Sequence, residues 1–170
     1  MNYSPSTIAR IADINYGIRV DTGSVLGPTL STANPTRLTL FNVVGGRVLV
    51  RQLIAEATET FEGAGALIKF CFTPTGGAEV DLTAVSLDAG SGAWAAGIRL
   101  ILGAAIGGTT TFSDIGASVA KAVDPYVLGI RGTGGAILSH CTTAAFTDGT
   151  AIFSLWYVPL DDGAYVEAAL

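Results

Sequence analysis

The stretch Leu38–Ala57, LTLFNVVGGRVLVRQLIAEA, decides the fold class. Two apolar runs meet at Gly45-Gly46, and a Gly-Gly pair takes the positive φ angles of a two-residue turn without steric cost, so the expected element is a β-hairpin. Within the second run, Val48, Val50 and Ile54 are assigned to one face and Leu49, Leu53 and Ala55 to the other, with Arg51 and Gln52 interrupting. A strand with one face on a core and the other in water alternates apolar with polar. This one reads as apolar on both sides, so it requires a second cover.

Working outward, short apolar runs recur between breaks rich in Gly, Thr and Asp, as in an antiparallel sandwich or a jelly-roll-like barrel. The expected strands are Ala66–Thr73, Glu79–Leu87, Gly97–Leu102, Thr109–Phe112, Pro125–Ile130, Ala136–Cys141 and Thr150–Val158, with a short helix over Ser113–Val123 capped by Ser113. No helical stretch is long enough for a crossover between parallel strands, which argues against a parallel sheet. The last strand again has two apolar faces. Ile152, Trp156 and Val158 share one with Ser154, and Ala151, Phe153, Leu155 and Tyr157 occupy the other.

Residues 1–37 differ from the β-domain of residues 38–170. Pro5, Gly17, Gly23, Gly27, Pro28 and Pro35 interrupt them at short intervals, so they read as an extended N-terminal arm with short ordered pieces. Residues 1–51 hold five arginines, Arg10, Arg19, Arg37, Arg47 and Arg51, against Asp13 and Asp21; that is +3 of a total of −5 and leaves −8 on the rest. A basic leading segment on an acidic body fits an arm that lies against something acidic.

Composition narrows the function classes. The chain has 170 residues, 49% of them hydrophobic and only 14% charged, with 22 glycines. That is apolar for a soluble monomer, and surface must be hidden somewhere. Ala93–Thr111, the longest weakly charged stretch, is broken by Arg99 and several glycines and falls short of the roughly 18 apolar residues of a membrane helix. The opening MNYSPSTIARIADINYG has no basic stretch followed by an apolar core, which argues against a secretory signal. No basic run interleaves with aromatics, so no nucleic-acid surface is expected. Leaving a Phe or Leu of an exposed strand face wet forgoes about 1.5–3 kcal/mol, so the expected hiding place is a second copy of the chain.

Candidates for chemistry are few. His140 is the only histidine, and its neighbours Ser139 and Cys141 point to the opposite face of a strand, which prevents a local catalytic pair. A lone His in an apolar run reads as a core or interface residue satisfied by a backbone carbonyl. Cys71 and Cys141 lie seventy residues apart with no metal-binding spacing, and read as buried free thiols. Asp161-Asp162-Gly163 after Pro159 reads as an Asp-Gly turn rather than a cation site, and Glu56, Glu59 and Glu62 as a solvated edge. Gly129–Gly135, GIRGTGG, lacks the ending of a phosphate loop. No enzyme, metal or cofactor is expected.

Two segments carry a resemblance. Leu40–Thr58, LFNVVGGRVLVRQLIAEAT, and Leu155–Glu167, LWYVPLDDGAYVE, are similar to the opening and ending of a group of tailed-bacteriophage structural proteins. In these a "TGGR-[IV]-L-V-x-x-L-I-G-E-x-T" opening and a "W-x-x-x-Y-V-P-L-D-D-G-A" ending bracket a Gly/Thr/Ala-rich β-domain. This chain departs from the pattern with Val44 before the glycines and with Ala55 where Gly is common. Some proteins of this kind are head decoration (cement) proteins, which sit on the capsid exterior, commonly as trimers, and clamp neighbouring subunits. The resemblance implies a virion protein made in the bacterial host cytoplasm, with itself and the major capsid protein as partners and neither nucleic acid nor membrane. Phe153, Leu155 and Tyr157, or Trp156 and Val158 on the opposite face, are then the expected subunit contacts, and Arg10, Arg19 and Arg37 the expected capsid anchors. A tail or head-tail connector protein shares these features. A carbohydrate-binding sandwich or fibre module would instead stack sugars on Trp94, Trp156 or Tyr165.

Overall fold

The computed structural model describes residues 17–31, 36–83, 87–88, 94–101, 113–114, 126–129 and 132–170. In chain order its elements are β1 (Ile18–Asp21), β2 (Val25–Leu26), α1 (Gly27–Leu30), β3 (Thr36–Val44), β4 (Val48–Glu62), β5 (Leu67–Pro74) and β6 (Val80–Asp81). There follow β7 (Leu87–Asp88), β8 (Arg99–Ile101), β9 (Ser113–Asp114), β10 (Tyr126–Leu128), β11 (Gly135–Thr142), β12 (Asp148–Pro159) and β13 (Tyr165–Ala168). They pair into two antiparallel sheets packed face to face, an all-β sandwich. The first sheet runs β1-β12-β4-β8-β9, with β2 also on β12 and β10 also on β4. The second runs β13-β3-β11-β5-β6, with β7 also on β5.

The expected hairpin at Gly45-Gly46 is not one. β3 lies in the second sheet and β4 in the first, so the glycines carry the chain across the sandwich rather than back along one sheet. A second crossing, from β12 to β13, stacks on the first. Gly45 has φ 76°, and a β-carbon there would stand 2.7 Å from the Gly163 carbonyl oxygen, so both conformation and space demand glycine. Asp161 joins the two crossings. Its Oδ2 accepts the Arg47 backbone N–H at 2.7 Å, and its Oδ1 accepts from the Arg47 guanidinium at 2.8 Å. The Asp-Gly turn reading is therefore right, and the aspartate also ties one crossing to the other.

The two apolar faces of β4 have a local cause. Trp156 pairs with Gln52 but Tyr157 pairs with Val50, which leaves Arg51 as an extra residue in the strand. Such a bulge shifts the alternation by one position. Val48 and Val50 before it, and Leu53, Ala55 and Ala57 after it, all face the core, whereas Leu49 and Ile54 are only partly covered. The assignment of Val48, Val50 and Ile54 to one face fails at this slip. A second slip lies in β3, where Leu138 pairs with Thr39 and Ile137 with Phe41, so that Leu40 and Phe41 are both buried.

Aromatic rings fill the space between the sheets. Phe61 and Trp94 stack with centroids 4.2 Å apart, and Phe153 meets Phe70 and Trp94 edge-on at 5.9 and 6.4 Å. Residues 17–31 belong to this sandwich and do not extend from it as an arm. β1 pairs with Ser154–Tyr157, Leu30 is buried, and the Ser31 hydroxyl accepts the Phe146 N–H at 2.7 Å. The reason is that β12 is long enough to take β1 along one half and β2 along the other. Ser113 pairs in β9 rather than capping a helix. Arg10, the rest of the expected helix and the strand expected at Thr109–Phe112 lie outside the described residues.

Candidate functional site

The period-2 geometry of β12 sorts its side chains as expected, inward and outward. Inward, Phe153, Leu155 and Tyr157 are buried in the chain's own core. This removes them as subunit contacts, because the opposite sheet already covers them. Outward, Trp156 and Val158 stay partly exposed. Val158 stands in register with Leu49, and Leu49 with Val127, so one row of apolar residues crosses three strands of the first sheet. Val127, at its end, is 49% exposed. The neighbouring row holds Arg19, Trp156 and Gln52.

Arg19 roofs this face. Its guanidinium carbon lies 4.9 Å from the Trp156 ring centroid, its Nε donates to Asp21 Oδ1 at 2.8 Å, and Nη2 reaches Ser154 Oγ at 3.4 Å. Burial pushes the Asp21 carboxyl up. The hydrogen bonds from Arg19 and Ser154 and the Arg19 charge outweigh that and hold it below the usual range. Farther along, Arg99 pairs with Glu56 at 2.7 Å.

The outer face of the second sheet has the opposite character. His140 of β11 lies between Arg37 of β3 and Lys69 of β5 in one register row, with Leu138, Cys71 and Asp81 in the next. Glu79, from the segment leading into β6, extends over β5 and β11, and its Oε2 accepts from Arg37 Nε at 2.6 Å. Lys69 Nζ donates to Asp81 at 2.8 and 2.9 Å, and the Cys71 thiol donates to Asp81 Oδ1 at 3.3 Å. The Arg37 hydrogen bond holds Glu79 below the carboxylate range against the pull of burial, and the Lys69 hydrogen bond does the same for Asp81.

Under this roof, His140 is 7% exposed, and neither ring nitrogen has a hydrogen-bond partner among the described residues. The backbone carbonyl expected for it is not there. Burial, then the charges of Arg37 and Lys69, hold its pKa below the usual range, so the ring is neutral at pH 7. One ligand atom each from Cys71, Glu79 and His140 lies within 4.8 Å of the others. Both cysteines are free thiols, as expected, but Cys141 faces inward and reaches the Ala144 carbonyl at 3.4 Å.

Of the expected capsid anchors, Arg19 and Arg37 sit on opposite outer faces of the sandwich, each in an ion pair within the chain. They cannot act together along one arm. Trp94 is fully buried and its Nε1 donates to the Ile98 carbonyl at 3.2 Å, so it is no platform for a sugar. The grouping of Cys71, Glu79 and His140 escaped sequence reasoning. Its only local signal is that Cys71 and Lys69 share one face of their strand, while His140 lies on another strand 69 residues after Cys71. In comparisons with known proteins, the chain matches no family model, no curated protein and no solved structure.

Proposed function

We propose that this protein is a phage virion component that self-associates, as a trimer in the form the resemblance implies, and coats the capsid exterior as a decoration (cement) protein. The observation that carries this reading is the apolar row Val158-Leu49-Val127, with Trp156 beside it, on the outer face of the first sheet. Covering such a row with another copy recovers the hydrophobic free energy that water denies it. The resemblance adds support, because its two motifs are the two crossings that Arg47 and Asp161 join. A multimer on a shell gains from avidity, in which several weak contacts engage at once. Partners are then other copies of this chain and the capsid subunit, and no catalysis is required.

The test is the assembly state of the purified chain at micromolar concentration, followed by substitution of Val127→Asp together with Val158→Glu. The expected result is a defined oligomer that becomes a folded monomer in the double variant and loses shell binding with it. A wild-type chain that sediments as a 17.3 kDa monomer, or an oligomer that survives the double variant, overturns the proposed contact. Images of particles decide position: copies over the whole shell fit a cement protein, and a single ring at the tail fits a connector.

A further inference from the structure

We infer that Cys71, Glu79 and His140 form a binding site for one divalent transition-metal ion of the zinc type. This does not rest on the decoration reading. Three observations converge on it. The ligand atoms come from β5, from β11 and from the segment before β6, yet lie within 4.8 Å of one another. The imidazole is buried with neither nitrogen hydrogen-bonded among the described residues, a costly arrangement for a polar ring that a metal ion relieves. The two Glu79 oxygens have separate uses. Oε2 is held by Arg37 at 2.6 Å, while Oε1 faces His140 Nδ1 at 3.8 Å. Arg37 thus orients the carboxylate as an outer hydrogen bond does in metal centres, leaving the inner oxygen to ligate.

A thiolate, an imidazole and a carboxylate together select a borderline-soft ion such as Zn²⁺ over Ca²⁺ or Mg²⁺, which prefer oxygen. Zn²⁺ bonds of about 2.0–2.3 Å place tetrahedral ligands about 3.5 Å apart. The three ligand atoms already lie within 4.8 Å of one another, and Glu79 Oε1 within 3.8 Å of His140 Nδ1, so closing to that spacing takes only about 1 Å of movement. Three protein ligands leave a fourth position open, with Asp81 Oδ1 3.3 Å from the sulfur. Burial, with the Asp81 hydrogen bond next, pushes the Cys71 thiol up to about 12, so the free protein carries the proton on sulfur. Binding breaks the S–H bond, forms a sulfur–metal bond and releases one proton to solvent. The two anionic ligands then balance the charge of the ion.

The experiment titrates the reduced full chain with Co²⁺ alone, then with Zn²⁺. The expected result is a thiolate-to-cobalt charge-transfer band that saturates at one ion per chain with release of one proton, and that Zn²⁺ then removes with no further proton released. Cys71→Ser removes the band and Cys141→Ala retains it. Should Cys71→Ser fail to fold, Glu79→Gln and His140→Asn carry the test, each expected to weaken Zn²⁺ binding by about tenfold or more. No thiolate band at saturating Co²⁺, a band that survives Cys71→Ser, or unchanged Zn²⁺ affinity in both Glu79→Gln and His140→Asn overturns the site.

Discussion

On the outer face of the first sheet the register brings Val158, Leu49 and Val127 into one row beside Trp156; on the outer face of the second it brings together Arg37, His140, Lys69, Cys71 and Asp81, with Glu79 over them. Both faces are made by strands with apolar residues on the inner side, so the shared core does not distinguish them. Their outward residues do. A broad apolar row suits a partner of similar size and shape, because its contribution scales with area. Converging donors around a buried imidazole suit a small ion, because each ligand acts at one point. One sandwich thus carries an apolar row on one outer face and a cluster of ionisable side chains around a buried imidazole on the other.

The largest test of this comparison lies between the two faces. Phe153→Ala is expected to cost about 3–5 kcal/mol in denaturant unfolding, because the ring is fully buried and meets Phe70 and Trp94. If the substitution instead leaves stability unchanged and dissociates an oligomer, Phe153 is a subunit contact and the inward assignment of β12 fails. Next is Asp161→Ala, which loosens both faces at once by freeing the crossings. A loss of about 1.5–3 kcal/mol is expected, mostly from the backbone N–H bond, since the Arg47 side chain is 42% exposed and its share is screened. Equal unfolding midpoints for Asp161→Ala and wild type would show that the crossings hold without it.

The smallest effect concerns pH and the first face alone. The Asp21 pKa is lowered in the folded chain, so its contribution is present above the unfolded value of about 3.9 and is lost as pH falls through the folded value. Asp21→Asn should therefore lower stability slightly at neutral pH, where the contribution is present, and leave it unchanged below the folded value, so that the acid limb is flatter. Because Arg19 and Asp21 are both well exposed, the change is small. An acid limb identical to wild type would mean that the roof over Trp156 does not depend on this ion pair.

Much of the fold was legible in the runs themselves. β5, β8, β10, β11 and β12 fall where short apolar stretches between turn residues put them, within one or two positions for most ends. The division of β12 into two faces followed from alternation alone, while which of them is the core did not. β1, β2 and β13 did not, since two to four residues of mixed polarity carry too little periodicity and form strands only because β12 and β3 present unpaired edges to them. For the candidate sites, Trp156 and Val158 were readable as sharing one apolar face of β12, and only the structure made that face the outward one. The part played by Leu49 and Val127 was not, because it depends on which strands lie next to β12 and β4.

By itself, the sequence determined an antiparallel all-β chain, free thiols at Cys71 and Cys141, glycine at the 45–46 connection and a turn at Asp161–Gly163. These follow from local chemistry, that is, from period-2 alternation, cysteine spacing and backbone freedom. Tertiary structure decided that Gly45-Gly46 crosses between sheets, that the bulge at Arg51 brings Val48, Val50, Leu53, Ala55 and Ala57 to the same core face, and that Trp94 is core. It also brought His140 to Cys71 and Glu79. Pairing partners and register are properties of residues far apart in the chain, and a single strand's pattern is the same whichever neighbour it meets.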